Sequence, residues 1–239
     1  MSECTPNSTS PDSTAPTHSN ADTPQSSESP HINAHVDAPY VLVLFYSRQG
    51  STEALARAIA RGVEETGLLA ARLRTVPPVT AQTCERLPEI PESGAPYATE
   101  ADLTHCSGLA LGSPTRFGNM AAPLKHFLDH VSASLWVSGD LVSKPACVFS
   151  SSASMHGGQE MTLLSMMIPL LHHGMALIGL PYMEAALNTT LSGGTPYGAT
   201  HVAGQNRVAT LSADETKLAV AQGRRLAAFA SRLKDLNHR

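Results

Sequence analysis

Apolar runs and amphipathic stretches alternate along the chain from residue 40 onwards. Residues 40–46 form a continuous apolar run, which is typical of a strand buried on both faces of a parallel sheet. Residues 52–66 carry apolar side chains at a spacing of four, with charged side chains on the other side, which predicts an amphipathic helix. A second strand is predicted over residues 68–73. Five prolines within residues 75–99 predict a long loop with little regular structure.

The same alternation continues to the C-terminal end. The further predicted elements are a strand at 109–112, a helix over 124–131, a strand at 146–149, an apolar helix over 160–173, a fifth strand at 175–178 and a last helix from 212 onwards. Pro169 predicts a kink or break in the apolar helix, and Ser212 and Glu215 have capping-box spacing. This order predicts an α/β fold with a doubly wound, five-stranded parallel sheet and helices on both faces.

The first 38 residues differ in composition from the rest. They contain eight Ser, five Thr, five Pro and five acidic residues, but no Lys, Arg, Leu or aromatic residue. Such a segment buries too little apolar surface to offset the entropy lost on ordering it. We therefore predict a disordered tail over residues 1–38, either dispensable or an acidic interaction arm, and a single folded domain over residues 39–239.

Charge and cysteine content exclude several classes of protein. Residues 39–239 carry 16 basic and 15 acidic side chains, so the predicted domain is close to neutral at +1. A neutral domain favours a small molecule or a protein as partner over nucleic acid. The four cysteines form no CxxC pair, so we expect no metal site. No apolar run reaches the roughly 18 residues of a membrane span, and we expect a cytoplasmic protein.

Three polar loops directly follow predicted strands, at residues 47–52, 113–119 and 150–158. Because ligands of open α/β sheets bind beyond the carboxyl ends of the strands, we expect these loops to meet at one site. The first loop precedes a helix, where hydroxyls and backbone N–H groups can hold a phosphate. No GxxxxGK[ST] or GxGxxG motif occurs, which leaves a cradle for a monophosphate.

The other two loops suit a flat ring. The second loop offers a hydroxyl, a guanidinium, an aromatic ring and a glycine in a row, and the third offers many small hydrogen-bonding groups. On the residues alone, an alternative remains open for each of the first two: a serine-rich turn before a capped helix, and a surface turn with an exposed Arg.

Two motifs, PTRFGN at 114–119 and GGTPYGAT at 193–200, together carry a specific resemblance to a known family. The chain resembles the WrbA group of flavodoxin-like, FMN-dependent NAD(P)H:quinone oxidoreductases, also named Trp repressor-binding proteins. The resemblance covers about residues 40–236, and its other matching stretches are 41–47, 148–151, 157–160 and 172–175. It implies a flavodoxin-like fold, bound FMN, NAD(P)H as co-substrate, quinones as substrates and a homotetramer whose neighbouring subunits complete the site.

The resemblance also implies roles for individual residues. The phosphate of FMN would be held by Ser47, Arg48, Gln49, Gly50, Ser51 and Thr52. The flavin ring would be flanked by Pro114, Thr115, Arg116, Phe117, Gly118 and Asn119, and lined on its other side by Ser150, Ser151, Ser152, Ala153 and Ser154. His172 would lie near the flavin face and donate a proton to the quinone, and Trp136 would line the substrate pocket. The residues alone leave His172 and Trp136 open as core or subunit-interface residues.

The chain departs from the family in two places. The family usually has Tyr at the position of Gln49, which is linked to nicotinamide-nucleotide contact, so Gln49 leaves the choice between NADH and NADPH open. The loop Ser152–His156 is one residue longer than its family counterpart, which would narrow the mouth of the flavin site.

The implied reaction is a ping-pong transfer, in which NAD(P)H is oxidised first and a quinone is then reduced by two electrons. A flavodoxin-type electron carrier and a non-catalytic FMN-binding interaction protein are the alternatives. A hydrolase is disfavoured because the chain contains neither GxSxG nor HExxH.

Overall fold

A computed structural model describes residues 38–79, 91 and 94–234, and all of these residues belong to one compact unit, Asp37–Arg239. The predicted tail lies outside the described residues apart from Ala38, so its disorder stays a prediction. Residues 80–90 and 92–93 of the predicted long loop also lie outside them.

The described residues form alternating strands and helices. The strands are β1 (Tyr40–Phe45), β2 (Ala70–Thr75), β3 (Gly108–Pro114), β4 (Pro145–Ser152), β5 (Ala176–Leu177) and β6 (Thr200–Val202). The helices are α1 (Ser51–Glu64), α2 (Glu100–Thr104), α3 (Ala122–Ser138), α4 (Gln159–His172), α5 (Ala186–Thr189) and α6 (Ala213–Arg232).

The strands form one parallel sheet in the order β2-β1-β3-β4-β5, with β6 also paired to β4. The chain thus winds outwards in both directions from β1 and β3, which confirms the predicted doubly wound sheet. β1 lies inside the sheet and all six of its residues are buried, as its continuous apolar run predicts.

Side chains of β1 alternate between two hydrophobic layers. Val41, Val43 and Phe45 pack with α1 and α6 on one face of the sheet. Leu42 and Leu44 pack with α3 and α4 on the other face. The period of two in the strand therefore explains why helices cover both faces.

Glycines allow α1 and α6 to approach closely. A Cβ atom at Gly223 of α6 would lie 2.0 Å from the carbonyl oxygen of Ile59 in α1. A Cβ atom at Gly62 of α1 would lie 2.1 Å from the carbonyl oxygen of Val220 in α6. The helix that follows the first polar loop is therefore held by backbone-to-backbone contact.

The fifth position of the sheet is filled by two short strands instead of the single predicted one. β5 pairs with Pro145 and Ala146 at the start of β4, and β6 pairs with residues 150–152 at its end. Residues 178–199, which include helix α5, lie between the two strands. A pattern search needs runs of about four residues to detect a strand, which explains why β6 was not predicted.

Two helices differ from the sequence prediction. Helix α2 begins at a capping box between Thr99 and Asp102, directly after the proline-rich stretch that predicts a loop. Helix α4 continues through Pro169 without the predicted break. Pro169 lies in the last turn. Because it has no backbone N–H to donate, a hydrogen bond is lost only near the end of the helix.

Candidate functional site

The carboxyl ends of β1, β3 and β4 lie side by side, as predicted. Phe45 at the end of β1 pairs with Gly112 of β3, and Pro114 at the end of β3 pairs with Ser151 of β4. Because the strands are parallel, the polar segments that follow them meet at one edge of the sheet.

The first loop turns into α1 through a left-handed glycine. Gly50 precedes the helix with φ of 88°, and its backbone N–H donates to Ser47 Oγ over 3.1 Å. Thr52 is fully buried, and its hydroxyl lies 2.8 Å from Ser151 Oγ at the end of β4. This hydrogen bond joins the start of the helix to the central sheet.

The second loop is a tight reverse turn. Arg116 and Asn119 exchange backbone hydrogen bonds of 2.8 and 3.1 Å, and Phe117 and Gly118 between them have φ of 51° and 83°. Positive φ at both central positions is typical of a type I′ turn. A bulky aromatic residue is strained in this conformation, and the Phe117 ring is fully exposed.

The second and third loops are packed against each other. The Thr162 hydroxyl donates to Thr115 Oγ1 over 2.8 Å, and so joins α4 to the second loop. Gly158, which precedes α4 with φ of 88°, lies so close to Gly118 that a Cβ atom there would be 3.2 Å from the Gly118 Cα atom. Two glycines therefore set the distance between these loops.

A cavity of about 500 Å³ lies between the three loops. It is lined by most of the predicted cofactor residues: Ser47, Arg48, Gln49, Ser51 and Thr52 of the first loop, Pro114, Thr115, Arg116 and Phe117 of the second, and Ser151, Ser152, Ala153 and Ser154 of the third. We call this cavity the inner pocket. Its charged lining residues are arginines, which suits an anionic ligand.

Several predicted residues lie elsewhere. Gly50 and Gly118 shape the loops without lining the inner pocket. Ser150 is fully buried within β4, and its hydroxyl has no hydrogen-bond partner among the described residues. Asn119, His172 and Trp136 line a second, larger cavity.

That larger cavity is a groove of about 1410 Å³ between α3 and α4, which we call the outer groove. Arg48, Arg116 and Phe117 line both cavities, so the outer groove adjoins the inner pocket. Trp136, on α3, is 69% exposed, and His172 is exposed at the end of α4. The groove therefore brings the two predicted substrate-side residues to one surface.

His173 lies beside His172 in the outer groove but has a different environment. Its Nδ1 atom is buried without a hydrogen-bond partner among the described residues. Burial and the neighbouring His172 lower the pKa of His173, so its ring is neutral at pH 7.

Three lining residues of the inner pocket were not among the predicted cofactor residues. Gly157 belongs to the third loop, while Ala203 and Arg207 follow β6. Thr200 and Val202 are β-branched, and Gly204 follows shortly after them. This pattern is a weak sequence signal for a strand that ends at the site.

A buried ion pair lies behind this last segment. His201 Nδ1 is 2.8 Å from Glu215 Oε2, and His201 Nε2 is 2.8 Å from the carbonyl oxygen of Val208. Because both ring nitrogens face acceptors, this site favours the protonated imidazolium, which can donate from both. Glu215 also accepts from the backbone N–H groups of Gly193, Val202 and Ser212.

Each partner of this pair stabilises the charge of the other. Burial raises the pKa of Glu215, but hydrogen bonds from His201, Ser212 and Val202 outweigh it and lower the pKa to about 2. Burial lowers the pKa of His201, but its hydrogen bonds to Glu215 and Val208 outweigh it and raise the pKa above its ordinary value.

Within residues 38–79, 91 and 94–234, no three His, Cys, Asp or Glu side chains are grouped so that they could hold a metal ion. No helix in these ranges is long and apolar enough to cross a bilayer.

Known proteins resemble this chain in sequence and in fold. Residues 40–187 match the family described as NADPH-dependent FMN reductase. An NAD(P)H dehydrogenase (quinone) of Trichlorobacter lovleyi is 40% identical over 200 residues, which cover 81% of this chain and 98% of the relative. The protein of the same name from Solidesulfovibrio magneticus is 39% identical over 201 residues, with the same coverage of both chains, 81% and 98%.

Among solved structures, a WrbA-like flavodoxin from Agrobacterium tumefaciens superposes with a TM-score of 0.57 at 22% identity, covering 82% of this chain and 99% of that one. A flavodoxin from the domain Archaea superposes with a TM-score of 0.53 at 16% identity, covering 80% and 98%. These likenesses support the flavodoxin-like fold. The sequence matches establish that the chain belongs to the family of NAD(P)H dehydrogenases (quinone).

Proposed function

We propose that this protein reduces quinones to quinols with NAD(P)H and FMN, by a two-electron, ping-pong reaction. One observation carries the proposal. A polar, arginine-lined inner pocket adjoins an outer groove with apolar walls, and Arg48, Arg116 and Phe117 line both. This arrangement supports binding of a phosphorylated cofactor beside a space for a second, aromatic molecule.

The inner pocket fits the phosphate of FMN. Hydroxyls of Ser47, Ser51 and Thr52 lie at the start of α1, where backbone N–H groups and the helix dipole favour an anion. The left-handed Gly50 shapes the turn that leads from Ser47 into α1. When bound, FMN supplies the hydride chemistry that protein side chains lack.

The second and third loops would surround the ring end of the cofactor. Pro114, Thr115 and Arg116 lie on one side and residues 151–154 on the other. Arg116 donates from Nη1 to the carbonyl of Thr115 over 2.7 Å, which holds its guanidinium next to the second loop. Its positive charge would stabilise the negative charge that develops during reduction.

The outer groove would receive NAD(P)H and the quinone in turn. Trp136 offers an exposed aromatic wall, and the exposed His172 can donate a proton to the quinone oxygen. Gln49 lines the inner pocket beside Arg48, which also lines the groove, and Gln49 would influence the choice between NADH and NADPH.

We also propose that the protein is a homotetramer that works in the cytoplasm, where NAD(P)H is available. Exposed apolar side chains along α4 support an oligomer: Met161, Ile168 and Leu171 are 60%, 57% and 57% exposed. Met166 of the same helix is fully buried in the core of this chain, so the methionine-rich helix is divided between core and surface.

Rapid anaerobic mixing tests the proposed reaction. FMN-loaded protein mixed with NADPH or NADH should lose the visible absorbance of oxidised flavin within seconds, and benzoquinone should restore it. A flavin that reacts with neither nucleotide would favour the electron carrier, and a protein that binds no FMN would favour an interaction module.

A further inference from the structure

The segment after β6 closes one side of the inner pocket. Ala203 donates from its backbone N–H to the carbonyl of Ser152 at the end of β4, over 2.8 Å. At the other end, a Cβ atom on Gly50 would lie 3.5 Å from Cβ of Ala209, so Ala209 lies beside the start of α1. Residues 203–209 therefore run from the end of β4 to the loop with phosphate-binding character.

Arg207 is the cation of this segment. Three arginines line the inner pocket, Arg48, Arg116 and Arg207, and its lining residues include no carboxylate. Arg48 and Arg116 also line the outer groove, whereas Arg207 lines the inner pocket alone. Such a side chain is available for a negatively charged ligand of this pocket.

The backbone at Arg207 is held in an unfavourable conformation. Its φ is 53°, and of the three non-glycine residues with positive φ among the described residues, Arg207 and Phe117 both line the inner pocket. Strained backbone persists where surrounding contacts enforce it, and it is concentrated at binding sites.

Backbone hydrogen bonds and the buried pair enforce this conformation. Arg207 and Val208 donate from their N–H groups to Gly204 and Ala203, over 3.2 and 3.0 Å. The carbonyl of Val208, next to Arg207, accepts from His201, whose other nitrogen is held by Glu215. His201 is only 2% exposed, so the imidazole side of this bond is buried.

We propose that Arg207 binds the phosphate of FMN and that His201, fixed by Glu215, positions it. This inference rests on the proposed FMN site and adds to it one binding residue and one positioning residue. Its physical basis is charge: a phosphate dianion gains most from a guanidinium that has no competing carboxylate in the pocket and whose backbone is already ordered.

Comparison of FMN with riboflavin, which lacks the phosphate, tests the role of Arg207. The dissociation constants are measured by fluorescence quenching as each flavin is titrated with flavin-free protein. Arg207→Ala should weaken FMN binding by about 10- to 100-fold and leave riboflavin binding unchanged, because one charge-assisted hydrogen bond is lost. Arg207→Lys should recover part of the affinity. Arg224→Ala, which removes an exposed arginine on α6 paired with Glu65, should change neither constant.

His201→Gln tests the positioning role. It should weaken FMN binding without affecting riboflavin, and it should add no further loss in the Arg207→Ala background, because both changes remove the same contact. A residue that only stabilises the fold would weaken both flavins, and its effect would add to that of Arg207→Ala. Thermal unfolding identifies a His201→Gln protein that fails to fold, and in that case the Arg207 variants decide.

The outcomes separate this inference from the proposed function. Equal FMN affinity in Arg207→Ala and the wild-type protein would overturn the inference alone, and so would equal losses for FMN and riboflavin. A wild-type protein that binds neither flavin would overturn the proposed function itself.

Discussion

Individual residues at the site have a strained backbone or an unusually exposed side chain, and neither feature stabilises the fold. The Phe117 ring is fully exposed on a left-handed backbone, at the boundary of the two cavities. Such an arrangement lowers the stability of the chain and is explained if the ring contacts a ligand. Residue-level tests should therefore separate stability from activity.

Phe117→Asn should separate these two properties. Asn tolerates positive φ better than Phe, and no buried apolar surface is lost, so the free energy of unfolding should rise by about 1 kcal/mol. The KM for benzoquinone should rise as well, because an aromatic wall is removed. Denaturant unfolding and steady-state kinetics measure the two effects. Tyr182→Asn, which removes another exposed aromatic side chain, should leave the KM unchanged.

His172→Ala should lower kcat for benzoquinone reduction by about 100-fold, because a positioned proton donor is lost. The dissociation constant of FMN should stay the same, since His172 lines the outer groove and not the inner pocket. His130→Ala, an exposed histidine of α3, serves as the control in the same assay. Unchanged kcat in His172→Ala would contradict the proton-donor role.

At the scale of elements, sequence patterns predict long segments well and short ones poorly. The apolar run of β1 and the capping box of α6 correspond to observed elements. The three-residue strand β6 is too short to show a hydrophobic period, and its pairing with β4 joins segments that are distant in the sequence. Arg207, which follows it, was missed for the same reason. The left-handed backbone of Phe117 could not be predicted either, because bulky aromatic residues rarely adopt positive φ.

The close packing of α1 on α6 should be sensitive to a single methyl group. Gly223→Ala places a Cβ atom 2.0 Å from the carbonyl oxygen of Ile59, so the helices must separate. We expect a loss of about 3 kcal/mol in the free energy of unfolding, from overpacking. Gly67→Ala, at a turn with open space around it, should lose only about 1 kcal/mol through its positive φ. Equal losses in denaturant unfolding would contradict this packing.

The His201–Glu215 pair should make stability depend on pH in two directions. Because the pKa of Glu215 is lowered from 4.5 to about 2, its contribution is present above pH 4.5 and is lost as the pH falls towards 2. Because the pKa of His201 is raised from 6.5, its contribution is complete below pH 6.5 and is lost as the pH rises through the raised value.

Thermal unfolding across this range measures the effect. The melting temperature should be highest between about pH 4.5 and 6.5, the window set by the two titrations. His201→Gln should remove the decline on the alkaline side of this window. A variant that keeps the alkaline decline of the wild-type protein would show that another group causes it.

At the scale of the whole molecule, one polypeptide presents an inner pocket, an outer groove and an apolar surface on α4. The sequence predicted the strand-end position of the site, because loops after parallel strands meet at one edge. It could not predict the division into two cavities, which depends on how far Arg48, Arg116 and Phe117 extend between them.

The apolar surface on α4 leads to a prediction for assembly. Leu171→Glu introduces a charge at a side chain that is 57% exposed and lies outside the lining of the outer groove. If α4 forms a subunit interface, this variant should dissociate in size-exclusion chromatography with light scattering. Leu68→Glu, at an exposed leucine after α1, should keep the wild-type mass.

The central claim is that the three strand-end loops bind FMN and thereby make the chain a quinone reductase. The most direct measurement is benzoquinone reduction by NADPH and by NADH in flavin-free protein titrated with FMN. We expect no activity without FMN and a rise in activity that saturates at one FMN per chain. Full activity in protein shown to be flavin-free, or none at any FMN concentration, would contradict it.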